Sequence, residues 1–590
     1  MKILLVAINA KYIHSNLAIY SLRAFAEKYA DHIKILELTI NHSEEDILKL
    51  IFRERADVVA FSCYIWNIDI VKRATANLKR VQEQVKIWYG GPEVSYDYGS
   101  CLQENEGLDG IMIGEGEQTF LELAGYYIED GRDLDRIKGI ACKACAQRNN
   151  TADTGITVTS AREPLPLDCI PFPYRNMELF QNRIIYYESS RGCPFSCSYC
   201  LSSIDRGVRL RSTELVKSEL ELFIDYHIPQ VKFVDRTFNC NRRHAMEIWQ
   251  FIKDNDNGIT NFHFEISADL LTEEELQLLA QLRPGQVQFE IGVQSTNPAT
   301  IKAIRRRMDF SRLRENVLRI KKAGNIHQHL DLIAGLPSED FSSFERSFQE
   351  VYELKPDQLQ LGFLKVLKGS AMEKESREGL IACRSTPPYE VLFTDKLSYE
   401  ELLKIKGICE MVEIYYNSLQ FTCSIGFLEH SFKSPMGLYL ALSSYYESKG
   451  YAMTAHNRQK RYEILLDFYK DAVLEIEQDS RHKEKVRLFK ELLAFDMLLR
   501  EGFRSRPSFS PARPIQDKLR RHYAGLRKDR RLMYMERFSY DVMEASRTGN
   551  IVKRETVMLF DYSVRDPLSC AAKVTVIDQE ESLYSVTEDE

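Results

Sequence analysis

Short apolar runs alternate with amphipathic stretches over the first 130 residues, regularly enough to predict the elements. Residues 2–8, 33–38, 57–62, 86–89 and 110–113 are short apolar runs rich in β-branched residues, while residues 17–29, 44–55 and 70–84 repeat apolar positions at helical spacing. Strands without polar alternation are buried on both faces, so the pattern predicts a doubly wound parallel sheet. A second set of strand–helix units begins near residue 183. Its predicted strands, at 184–188, 231–234, 262–266, 287–291, 329–333 and 358–363, are separated by helices such as 212–226, 243–254 and 273–282. Six parallel units predict a partial (β/α)6 barrel with its chemistry at the carboxyl ends of the strands. Residues 131–182 read as a connector in which Pro164, Pro166, Pro171 and Pro173 mark extended chain. The remainder, 371–590, reads as a mainly helical domain, with periodicity over 400–416, 435–448, 461–476 and 484–501 and two late strands at 555–562 and 573–577.

A chain of 590 residues holds three or four domains of ordinary size, and 44% hydrophobic with 28% charged residues is the balance of a soluble globular protein. The net charge of −7 gives no overall basic field, which argues against nucleic acid as a partner. Residues 518–531 form a local basic run with one Tyr, open to RNA contact or to a reading as a solvated helix face, and the acidic end 578–590 reads as disordered. The apolar opening is too short for a signal peptide and lacks a cleavage site. No window approaches the roughly 18–20 apolar residues of a membrane helix. Thirteen scattered cysteines are no disulfide framework and fit a reducing cytoplasm.

The chemistry concentrates between residues 190 and 202. Cys193, Cys197 and Cys200 stand in C-x3-C-x2-C spacing, with Tyr199 just before the last thiol. Three thiolates hold three irons of a cubane iron–sulfur cluster; with no fourth ligand nearby, the remaining iron stays open to a substrate or cofactor. The alternatives at this point are a zinc site lacking its fourth ligand or buried free thiols. Cys142 and Cys145 form a separate C-x2-C pair with no second pair close by, and read as incidental.

The C-x3-C-x-aromatic-C run after a short strand resembles the cluster motif of the radical S-adenosylmethionine superfamily. The resemblance implies a [4Fe-4S] cluster on the three cysteines, with S-adenosylmethionine chelated at the open iron and cleaved by one electron to methionine and a 5′-deoxyadenosyl radical. It implies that Asp235, opening the Asp-Arg-Thr-Phe-Asn run after the second barrel strand, meets the methionyl amino group, and that Ile333 and Gly335 pack the adenine. The Glu that closes this last segment is displaced by one, to Glu339, with Ser338 in its place. Glu265 and Glu290 lie on the third and fourth barrel strands, where a carboxylate needs a cofactor, a substrate or a salt-bridge partner. Lys365 and Lys368 close the sixth strand and either border the substrate cavity or are solvated.

Strand ends of the first domain carry residues 9–16, 62–67, 90–93 and 114–117. A Gly-Gly there is a plain turn or a close approach of backbone to a ligand. Ahead of a radical motif, the four segments resemble the cobalamin-binding domain of one branch of the superfamily, which implies contacts from Ser62, Gly90 and Gly91 to the nucleotide tail of cobalamin. Many such domains place a His beneath cobalt in Asp-x-His-x-x-Gly; Asn9 and Lys11 occupy the Asp and His positions here, which leaves His14 as a substitute ligand or an ordinary loop residue.

The resemblance implies a radical enzyme that methylates an unactivated centre on a small-molecule or natural-product substrate, served by a reducing donor such as flavodoxin or ferredoxin. One S-adenosylmethionine would supply the methyl group and a second the radical. Other outcomes within reach are a cobalamin-assisted rearrangement or cyclisation, an RNA methylthiotransferase-like activity, or a cluster- or cobalamin-responsive sensor. The methylthiotransferase reading asks for three cysteines in the first domain, where only Cys63 and Cys101 stand. Residues 371–590 resemble an uncharacterised C-terminal extension of some cobalamin-type radical proteins.

Overall fold

The computed structural model describes residues 1–129, 133–143, 155–474, 481–500, 506–510, 515 and 532–577. Cys145, the basic run 518–531 and the acidic end 578–590 lie outside them. The first sheet contains β1 (Ile3–Asn9), β2 (Ile33–Thr39), β3 (Val58–Ser62), β4 (Lys86–Gly90), β5 (Gly110–Met112), β6 (Ile140–Cys142) and β7 (Thr157–Val158), in the order β2-β1-β3-β4-β5-β6-β7. The first five are parallel, and β1 and β3 are buried along their whole length, because helices cover both faces. The stretch read as connector adds β6 and β7 antiparallel to the same sheet, with Cys142 buried in β6.

The chain next forms β8 (Ile184–Tyr187), a short ladder of β9 (Ser190–Arg191) and β10 (Arg209–Leu210), and then β11 (Gln230–Phe233), β12 (Asn261–Ile266), β13 (Val287–Gln294), β14 (His327–Ala334) and β15 (Gln358–Phe363). The six long strands make one parallel sheet, β15-β14-β13-β12-β11-β8, the partial barrel expected. Alternation sorts its side chains. Val231, Phe233, Phe262, Phe264, Phe289, Ile291, Leu330 and Leu332 are buried towards the helices, while Lys232, Glu265, Glu290 and Asp331 occupy the inner face.

Several contacts weld the domains. The loop after β1 runs along β8: Ile184 N–H donates to Ile13 O at 2.7 Å and Ser15 N–H to Ile184 O at 3.2 Å. Arg183 reaches back to Glu37 and to His14 O, both at 2.5 Å, and Glu37 also accepts from Asn9, Asn16 and Tyr20. Lys368 pairs with Asp97 of the first domain at 2.9 Å, so it is a bridge between the domains.

The last domain joins the barrel through one continuous apolar core. The Asn417 side chain exchanges two hydrogen bonds of 2.9 Å with the Leu359 backbone, completing the pairing of the edge strand β15 much as another strand would. A small hairpin, β16 (Ile381–Cys383) and β17 (Val391–Thr394), precedes helices Tyr399–Val412, Pro435–Ser448, Arg458–Phe468 and His482–Arg500. Three antiparallel strands, β18 (Met533–Tyr540), β19 (Lys553–Arg565) and β20 (Ala572–Ile577), follow. No helix among the described residues is long and apolar enough to cross a membrane.

Candidate functional site

A cavity of about 830 Å³ lies between the carboxyl ends of the two parallel sheets. The loops after β1, β3, β4 and β5 form one wall, with Asn9, His14, Tyr64, Trp66, Gly91 and Gly114; Tyr186, Glu188, Arg191 and Arg236 line the barrel side. Doubly wound sheets and barrels both bind ligands outside the carboxyl ends of their strands, and here the two sets of ends face one another.

The cysteine loop follows β8. Cys193 and Cys197 are buried, Cys200 is half-buried, and none is in a disulfide. Backbone bonds anchor the loop from three sides: Cys193 N–H donates to Asp205 O at 3.1 Å, Ser198 N–H to Ile304 O at 3.0 Å, and Met372 N–H to Ser198 O at 2.8 Å. Arg306 lies over it, with Nη1 3.9 Å from Cys197 Sγ and 3.4 Å from the Tyr199 hydroxyl. Burial pushes the Cys197 thiol up, against the pull of Arg306. Ser198 Oγ and Arg306 Nε are buried without a hydrogen-bond partner among the described residues. A fixed cation and unmet polar atoms beside three thiols suit an anionic iron–sulfur cluster. Among the described residues no three Cys, His, Asp or Glu side chains gather for a single metal ion. Zinc needs ligands within about 2.3 Å of one centre, whereas a cubane spreads its thiolates over separate irons.

The other sequence-predicted residues divide. Gly91 lines the cavity at φ 117, where a Cβ would sit 2.5 Å from Cys63 O; glycine is required there by the close approach of the backbone that follows β3. Gly90 lies against Met112, and Ser62 is 8% exposed behind Asn16, whose Nδ2 is 3.4 Å from its hydroxyl. Asp235 is 1% exposed and turned away from the cavity, because alternation gives Val234 and Arg236 the cleft side. Its carboxylate accepts from Ser189 N–H at 3.0 Å, Ser189 Oγ at 2.6 Å and Ser190 Oγ at 2.5 Å, and burial pushes its pKa up to about 6 despite them. The expected contact to an ammonium is therefore not what Asp235 makes here; it fixes the residues that lead into the cysteine loop. Ile333 packs opposite Gly362, and a Cβ at Gly335 would sit 2.6 Å from Val391 Cγ1, so this segment is held against β17. Ser338, at φ 64, turns Glu339 inward, where it accepts from Ser295 Oγ at 2.6 Å and burial raises its pKa to about 7.

Glu290 meets the salt-bridge reading, but with Lys and His in place of Arg: Lys232 Nζ is 2.8 Å away and His263 Nε2 3.2 Å. Burial opposes its charge, yet these two neighbours outweigh it and hold the carboxyl well below the usual range. Glu265 makes no hydrogen bond or ion pair among the described residues, and burial, opposed by Arg236, raises its pKa to about 7. His14 Nδ1 is 2.8 Å from the Tyr186 hydroxyl, which ties it to the barrel.

Sequence reasoning missed the clamp across the cleft. Arg191, two residues before Cys193, meets Glu117 at 2.8 Å, Glu188 at 2.7 Å and Glu115 at 3.1 Å, and Arg209 also pairs with Glu115. The signal was present in Gly114-Glu-Gly-Glu117 at a strand end, but nothing in the chain says that its carboxylates face an Arg some 70 residues later.

Comparison with known proteins agrees with this layout. Residues 3–124 match the family model of the B12 binding domain, residues 187–351 that of the radical SAM superfamily, and residues 380–569 that of a protein family of unknown function, DUF4080. An uncharacterized methyltransferase of Pyrococcus horikoshii is 27% identical over 333 residues, 56% of this chain and 71% of that one. The cobalamin-dependent radical SAM methyltransferase TokK of Streptomyces tokunonensis is 26% identical over 340 residues, 50% of this chain and 45% of that one. The structure of the cobalamin-dependent S-adenosylmethionine radical enzyme OxsB with aqua-cobalamin superposes with a TM-score of 0.57 at 15% identity, covering 84% of this chain and 80% of that one, which shows a shared fold. The cofactors that go with these domains are a [4Fe-4S] cluster, S-adenosylmethionine and cobalamin. The chain thus carries, in order, a B12-binding domain, a radical SAM domain and a domain of unknown function.

Proposed function

We propose that this enzyme transfers a methyl group to an unactivated centre of a small-molecule substrate held between its two sheets. The observation that carries the reading is the cleft itself, which brings the strand ends of the B12-binding domain over the barrel mouth beside the cysteine loop. Bound there, the cluster with S-adenosylmethionine would supply a carbon-centred radical and cobalamin a methyl carrier. The chain's own part is to bind and orient. Cys193, Cys197 and Cys200 would hold the cluster; Ile333 and Gly335 offer backbone to an adenine; the Gly91 turn, with Ser62 and Gly90 behind it, would seat the cobalamin tail. A reducing protein such as flavodoxin or ferredoxin would deliver the electrons. TokK, a relative, is named a methyltransferase, and a relative from Rubrivivax gelatinosus is named a cyclase, which makes rearrangement or cyclisation the second reading.

The test is product balance. With substrate supplied, methyl transfer predicts S-adenosylhomocysteine and 5′-deoxyadenosine in comparable amounts. 5′-Deoxyadenosine without S-adenosylhomocysteine would replace methylation by a radical rearrangement, and neither product under strong reduction would favour a sensor.

Arg306 gives a prediction that needs no substrate. A cation beside an anionic cluster stabilises its reduced form. Arg306→Met is expected to lower the cluster's midpoint potential in a redox titration followed by electron paramagnetic resonance, and Arg306→Lys to recover much of the shift. An unchanged potential in Arg306→Met would mean that the guanidinium serves only the loop's packing.

A further inference from the structure

The inner face of the barrel is a polar surface of a particular kind. Register places Lys232 beside His263, Glu265 beside Glu290, and Glu290 beside His329, one row below Asp331. Lys232 pairs with Glu290 at 2.8 Å, and His329 Nε2 lies 3.0 Å from Asp331 Oδ1. Glu265 is left over, with no hydrogen bond or ion pair among the described residues. Three further atoms are unmet, Asp331 Oδ1 among them. His263 and His329 are each 7% exposed, and their Nε2 atoms, although close to carboxylates, lack a hydrogen bond in usable geometry. Lys232, Glu290 and Asp331 keep 24%, 22% and 16% side-chain exposure, so the face opens on a recess and not on packed core. Buried polar groups without partners are costly and are kept where a ligand meets them. An apolar polycycle in this recess would desolvate six ionisable groups and satisfy none.

Resting on the methyl-transfer reading above, we propose that the substrate is a small, polar molecule bearing a protonated amine, which is seated against Glu265 on the inner barrel face, with hydroxyl or carbonyl groups turned to His263 and His329. Glu265 is the carboxylate of this face that makes no ion pair among the described residues, and a charge-assisted bond to an ammonium there is stronger than a neutral one. Discrimination against a neutral isostere follows from the buried group that it would leave unpaired.

The reconstituted, cobalamin-supplied full-length protein tests this under anaerobic conditions with matched probes: glucosamine against glucose, and putrescine against 1,4-butanediol. Each is titrated by calorimetry with S-adenosylmethionine present. The amines are expected to bind at least about tenfold more tightly than their hydroxyl counterparts. Glu265→Gln is expected to remove that preference. Equal binding of amines and alcohols, absence of amine binding, or persistence of the preference in Glu265→Gln would each overturn the proposal. Loss of S-adenosylmethionine affinity in that variant would overturn it too, by making Glu265 a cofactor contact. These readouts are independent of product balance, so they fail separately from the methyl-transfer reading.

Discussion

Replacing any one of Cys193, Cys197 or Cys200 by Ala is expected to leave a protein that folds but neither assembles the cluster nor forms 5′-deoxyadenosine. The loop is fixed by backbone bonds to Asp205, Ile304 and Met372, none of which depends on a thiol, so each variant should retain its secondary structure and unfolding midpoint. The chemical loss, by contrast, would be that of an iron ligand. It should exceed the roughly 10–100-fold penalty typical of removing an outer-shell partner, and bring product to background. Iron and sulfide content, the visible absorbance of the reconstituted protein and the 5′-deoxyadenosine yield measure it. Cys240, a thiol close enough to feel the charge of Cys193 but outside the run, is the control; Cys240→Ala should keep its iron. Equal iron loss in Cys240→Ala would mean that the cluster draws a ligand from outside the three-cysteine run.

The second large effect is on stability. Arg191→Met removes the cation that Glu117, Glu188 and Glu115 share across the cleft. Glu115 keeps Arg209, but Glu117, whose side chain is 7% exposed, retains only the 3.2 Å bond from Ser21 Oγ among its contacts with the described residues. Breaking a buried pair by deleting one partner costs about 3–5 kcal/mol, because the other charge is left unpaired in a poorly solvated place. Thermal and urea denaturation should show a loss of that size. The double variant Arg191→Met with Glu117→Gln should recover part of it, since it removes the stranded charge as well. A single variant as stable as the parent would show that water enters the cleft freely enough to solvate Glu117.

Much of this molecule was legible in its residues. Both parallel sheets announced themselves through strands such as β1, apolar at nearly every position, and the cysteine spacing located the loop after β8. What the chain hid had physical reasons. β18 escaped because its buried face carries Glu536, 3% exposed, in line with Phe538 and Tyr540; a carboxylate on the core side breaks the apolar alternation, and its partner Arg506, at 2.6 Å, lies 30 residues away. Asp235 was expected to face a ligand from its place at a strand end, but the side of a strand on which a residue falls depends on register to within one position. Glu265 and Glu290, alike in sequence, part company because Lys232 and His263 come from two other strands and both converge on Glu290. Pairings of this kind belong to the folded sheet and not to local sequence.

The measurement closest to the central claim is corrinoid content. The protein would be produced anaerobically with a cobalamin supply, its cluster reconstituted, and bound corrinoid and iron quantified by absorbance and mass spectrometry. About one corrinoid and four irons per chain are expected. A full cluster with no retained corrinoid would contradict the methyl-transfer mechanism, leaving a radical enzyme whose first domain serves another purpose.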